Sequence, residues 1–122
     1  MVSTFPAKKN AAFKAVFPIL DADGDLVTAA ATLDSEVSID GGTFADCINE
    51  AIEILTGSGM YYLDLTAAEM NGDVIAVIVK TTTAGAKTTA LVFYTATQTL
   101  DEIETTLQKH DKKIMGLVVA LS

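Results

Sequence analysis

The stretch TLDEIETTLQKHDKKIMGLVVAL, residues 99–121, decides how the rest of the chain is read. Leu100, Ile103, Leu107, Ile114, Leu117 and Leu121 recur along it, and His110 fills the remaining position, so that the spacing alternates three and four. That is the heptad seam of a coiled coil. Thr99 followed three residues on by Glu102 is a capping box, which predicts the helix start. Asp101, Glu102 and Glu104 fall near the positive end of the helix dipole, and Lys109, Lys112 and Lys113 lie further on, where the dipole favours cations. A seam this narrow suits pairing with copies of itself. Leucine at the first heptad position and isoleucine at the fourth favour three or four strands over two, and we expect a homotrimer. Three copies of His110 would then meet on the axis, where they could hold a metal or an anion. The reading adopted is a polar residue that sets register and strand number, with no metal and no cofactor.

After Lys113 the pattern changes. Met115, Leu117, Val118, Val119, Ala120 and Leu121 are apolar nearly all round, interrupted by Gly116. Such a tip is expected to be gripped within the oligomer or inserted into another protein. If Gly116 ends the helix, the tip instead pairs as a strand.

Before the helix the chain reads as β structure. Residues 1–10 form a polar arm, disordered or laid on a neighbouring subunit, with Pro6, Lys8, Lys9 and Phe13 as candidate docking residues. Residues 11–20 read as a strand placed at a sheet edge by Pro18. Asp21 to Asp25 is a turn, and residues 26–33 read as the return strand. Residues 36–40 alternate polar and apolar as a half-exposed strand, and Asp40-Gly41-Gly42 is a tight turn. Residues 43–55 carry both helical and strand spacing; a loop and a strand are expected. Tyr61, Leu63 and Leu65 fall on one face of a strand over residues 60–66, and Thr66 with Glu69 is a second capping box. Residues 74–83 suit a central strand covered on both faces, and residues 88–97 the last strand. The expected architecture is a small antiparallel β-sandwich over residues 11–98, followed by a coiled-coil helix over residues 99–122.

Composition narrows the function classes. The net charge is −8, and the eight basic residues are all lysine. Such a surface repels nucleic-acid phosphate and anionic lipid, so neither nucleic acid nor membrane is an expected partner. No apolar run is long enough to span a bilayer, no export signal is read at residues 1–10, and the single cysteine fits a reducing cytoplasm. His110, the one histidine, sits on the seam, so no histidine-based triad can be built in the β body, and no enzyme is expected. Asp21, Asp23 and Asp25 resemble the opening of a calcium loop. The glycine is misplaced, however, and Thr32 stands where the bidentate glutamate belongs, so a plain turn is the better reading. Cys47 has no basic neighbour in sequence and reads as a buried structural thiol. Tyr61, Tyr62 and Tyr94 could stack on a sugar, but strand aromatics more often serve as core. A carbohydrate- or calcium-binding sandwich is thus the alternative function. The alternative architecture is a monomer whose helix folds back over its own sheet.

Three segments carry a resemblance: Phe17 to Thr28, Ser38 to Phe44, and Gly59 to Met70. Their distinctive parts are the Asp40-Gly41-Gly42-Thr43-Phe44 turn and the Tyr61-Tyr62-Leu63-Asp64-Leu65-Thr66 strand running into a capped turn. Together they resemble a module of tailed-bacteriophage structural proteins, the fibre, baseplate and head-appendage components. The resemblance implies a β-sandwich packed as a homotrimer on the virion, assembled in the host cytoplasm beside capsid, tail or fibre proteins. It implies no catalytic or ligand-binding residues. A chain ending at Ser122 departs from the longer members, which continue into a receptor-binding domain, and this leaves a fibre base, an adaptor or a capsid decoration protein.

Overall fold

Alternation along the strands decides which side chains are buried. The computed structural model describes the backbone of residues 5–121 and the side chains of residues 5–115. Within it lie strands β1 (Phe13–Pro18), β2 (Asp34–Ile39), β3 (Ala45–Asp46), β4 (Ile52–Glu53), β5 (Met60–Leu65), β6 (Val74–Lys80) and β7 (Thr89–Tyr94), then helix α1 (Leu100–Leu121). They form two antiparallel sheets, one ordered β1-β5-β4 and the other β3-β2-β6-β7.

Cross-strand partners share a face, so the register places apolar rows side by side. In the first sheet Phe13, Ala15 and Phe17 oppose Leu65, Leu63 and Tyr61. In the second, Val77 lies between Val37 and Leu91, and Ile75 between Ile39 and Phe93. The buried members of both sets belong to one hydrophobic cluster, joined by Ile19 and Met70. Phe13 and Phe93 meet edge to face at 5.1 Å, which ties the edge strand of one sheet to the edge strand of the other. Pro18 ends β1, an edge strand, where its missing N–H leaves no gap in a central ladder.

The two turns expected from aspartate and glycine form as expected. Asp21 Oδ1 accepts the N–H groups of Asp23 and Asp25 at 2.9 and 3.0 Å. Asp40 takes a positive φ of 52°, with Gly41 following at 78°, and its carboxylate accepts the N–H groups of Asp73 and Val74. Those two backbone bonds, Val74's first, hold the Asp40 carboxyl below the usual aspartate range. Thr66 and Glu69 close their capping box in both directions, at 2.8 and 3.2 Å.

Several expectations are corrected. Residues 26–33 are not a strand: Leu26 makes one bridge to Leu20, and positive φ at Ala29 and Thr32 breaks any extended run. Residues 43–55 hold two two-residue strands, β3 and β4, with Cys47 and Ala51 buried between them. Strand β6 is buried on one face only; Ile75, Val77 and Val79 point inward while Val74, Ala76 and Ile78 are half-buried. The described part of the arm is ordered against its own chain. Ala7 is buried, and the backbone of Ala7 and Lys9 bonds to Ala96. Helix α1 runs through Gly116, so Leu117 to Leu121 is not a strand. It follows that Lys109, Lys112 and Lys113 stand mid-helix, away from the last turn where the dipole would favour them.

Candidate functional site

Helix α1 begins where one local capping box and two long-range contacts coincide. The Glu102 N–H donates to Thr99 Oγ1 at 3.4 Å, the Thr99 hydroxyl donates to Glu102 Oε1 at 3.3 Å, and Thr99 itself is buried. The Leu100 N–H, which no residue of the helix can satisfy, donates to the carbonyl of Phe5 at 3.0 Å. Lys8 reaches the Glu102 carboxylate at 2.9 Å. Lys8 therefore serves its own chain, and Lys9 pairs with Asp73 at 3.2 Å. Further along, the hydroxyls of Thr105 and Thr106 donate to the carbonyls of Asp101 and Glu102, which lets threonine sit on the helix surface without an unmatched polar group.

From this anchored start the helix leaves the body, and its side chains from Ile103 to Met115 are exposed. Its seam is open. Leu100, Ile103, Leu107 and Ile114 are 51%, 39%, 60% and 59% exposed, and His110 is exposed among them. The fold-back arrangement, in which these residues cover the chain's own sheet, is not the one adopted. Leu117 and Leu121 belong to the same helix, but their side chains lie outside the described residues. Apolar residues spaced three and four apart form one stripe along a helix, so the residues from Leu100 to Ile114 present a continuous apolar line broken by one imidazole.

The remaining candidates divide by environment. Pro6 and Phe13 line a groove beside β7, with Phe5, Val92 and Tyr94 as its exposed apolar members. Sequence reasoning names Pro6 and Phe13 but misses the β7 side of this surface. Its one signal was β7 itself, where the outward residues Val92 and Tyr94 are as apolar as the inward ones. The three tyrosines form no shared platform. Tyr61 is buried and donates to the Val27 carbonyl at 2.8 Å, whereas Tyr62 faces the other side of β5 beneath the Lys14 ammonium. Tyr94 stands on the second sheet, 75% exposed.

Cys47 is buried, and its thiol is pushed up to about 12 by burial first and then by the charges of Glu69 and Glu50. A thiol so placed is protonated at neutral pH and makes a poor nucleophile. Among the described residues two clusters of three carboxylates could each gather around a cation, Asp21 with Asp23 and Asp25, and Asp34 with Glu36 and Asp46. In the first, Asp21 is already engaged by backbone N–H groups; in the second, Glu36 pairs with Lys80 at 3.7 Å. Among the described residues no helix is long and apolar enough to cross a membrane. No family model, curated protein or solved structure matches the chain.

Proposed function

We propose that this protein is a non-enzymatic structural component of a tailed-phage particle, a homotrimeric fibre base, adaptor or capsid decoration protein. In this reading the two sheets form a β-sandwich, and three α1 helices associate through Leu100, Ile103, Leu107, His110, Ile114, Leu117 and Leu121. The observation that carries it is the apolar seam, left exposed from Leu100 to Ile114 by the described part of its own fold. A helix with such a seam gains stability by burying it against another helix. The acidic surface keeps free subunits apart until that match is made. The virion context rests on the sequence resemblance.

Sedimentation velocity at micromolar concentration tests the assembly, with a species of three chains as the expected result. Leu107→Asp places three carboxylates on an apolar axis and should leave monomers. A wild-type protein that sediments as a single chain overturns the proposal. Electron microscopy of an intact particle, with this fold found on a threefold axis, tests the location.

A further inference from the structure

We infer that the groove beside β7 is a second interface between copies of this chain, formed where neighbouring bodies abut at the base of the helix bundle. The inference rests on the trimeric reading of the seam. Three features place it here.

The first is geometric. Packed helices lie about 8–10 Å apart axis to axis, while a domain of this size is roughly 30 Å across. Three such bodies cannot each feed a helix into one bundle without touching, unless a linker lets them stand off. The five residues between Tyr94, the end of β7, and Leu100, the start of α1, are tied to the body, with the N–H groups of Thr95 and Ala96 donating to the carbonyls of Asp73 and Ala7. The join is fixed by the Leu100 bond to Phe5 and the Lys8 pair with Glu102.

The second is continuity. Phe5, whose carbonyl receives the N–H of the first seam residue, is also a wall of the groove. The groove runs from there along Pro6, Phe13, Val92, Phe93 and Tyr94, with a volume of ≈ 560 Å³. The Phe13–Phe93 pair joins the two sheets beneath it. Phe5, Val92 and Tyr94 are 68%, 56% and 75% exposed. Groove and seam thus begin at neighbouring points, joined through the Phe5–Leu100 backbone bond.

The third is charge. Two chains of net charge −8 repel each other over most of their surface. Among the described residues no acidic side chain lines the groove, and Lys14, its charged member, is paired with Asp64 at 3.2 Å. A second copy can therefore approach here without setting like charges against each other.

Val92→Lys and Tyr94→Lys test the inference, because both side chains point outward from β7 and leave the core untouched. Each variant should keep the wild-type circular dichroism and weaken trimer formation at least tenfold, read by sedimentation across a dilution series. Independently, hydroxyl-radical labelling of Tyr94 should be several-fold slower in the wild-type protein than in Leu107→Asp, and this holds even if a lysine variant fails to fold. A trimeric wild type whose lysine variants dissociate no more readily, with Tyr94 labelled equally in both backgrounds, overturns the second interface and leaves the seam standing. A monomeric wild type overturns both.

Discussion

Lys8 and Glu102 stand 94 residues apart in sequence, yet the Lys8 ammonium lies 2.9 and 3.1 Å from the two oxygens of the Glu102 carboxylate. The bond pins the N-terminal segment to the first turn of α1 and so sets the direction in which the helix leaves the body. The Lys8 hydrogen bond holds the Glu102 carboxyl below the ordinary glutamate range, aided by the Lys8 charge and by Thr99. A carboxylate lowered on folding contributes stability above its unfolded value and loses it as pH falls through the folded one. The melting difference between wild type and Lys8→Met should therefore be present at neutral pH and disappear on acidification below the glutamate range. Both groups are more than a third exposed, so the difference is a few degrees at most. A gap that persists unchanged in acid would assign the effect to packing of the lysine stem instead.

Tyr61→Phe should lower stability by about 1–3 kcal/mol, measured by urea unfolding. The Tyr61 hydroxyl donates to the Val27 carbonyl at 2.8 Å and accepts the Ala30 N–H at 3.0 Å. Phenylalanine preserves the buried ring stacked near Phe17 but leaves both backbone groups without that partner. A loss below a few tenths of a kcal/mol would mean that residues 26–33 hold their course without it.

That segment also shows where the sequence could and could not be read. Strand β5 was legible because Tyr61, Leu63 and Leu65 alternate with more polar neighbours, and both capping boxes were legible because each uses residues three apart. Residues 26–33 carry apolar residues that suggest a strand. Their path is instead set by distant groups: the Tyr61 hydroxyl, the Glu53 carboxylate at Ala29, and the threonines Thr81 to Thr83 around Ala31. None of those contacts is local, so no window of sequence contains them. The course of the arm's described part is hidden for the same reason, since its polar composition says nothing of the backbone bonds to Ala96. In the candidate site the seam was visible as a period, but the groove beside β7 needed three segments brought together by the fold.

Glu69→Ala should cost about 2–4 kcal/mol, and Glu69→Gln clearly less. The buried Glu69 carboxylate accepts the N–H groups of Thr66 at 2.8 Å and Ile48 at 3.0 Å, joining the capped turn to the loop after β3. Alanine removes both acceptors, whereas the glutamine oxygen can keep one. Chemical denaturation of the two variants checks the order, and equal losses would show that the negative charge matters more than the acceptor geometry.

Cys47 should resist iodoacetamide in the folded protein at mildly alkaline pH. Its thiol, raised to about 12, stays protonated there, and its burial blocks approach. Alkylation should track the unfolded fraction as urea is added, measured by intact mass. Labelling of the native protein at the rate of a free thiol would place Cys47 on an accessible surface.

His110→Leu should raise the dissociation midpoint of the trimer and loosen its choice of strand number. In the proposed bundle His110 forms the one polar layer, between Leu107 and Ile114. A polar seam layer lowers stability because its groups must find partners away from water, and it favours the single register in which they do. Leucine removes the penalty and the constraint together. Thermal melting should therefore shift upward while native mass spectrometry detects species other than three chains. His110→Asn, which keeps a polar layer, should stay trimeric. If His110→Leu changes neither midpoint nor mass, His110 lies outside the contact, and the seam must be drawn along a different face of α1.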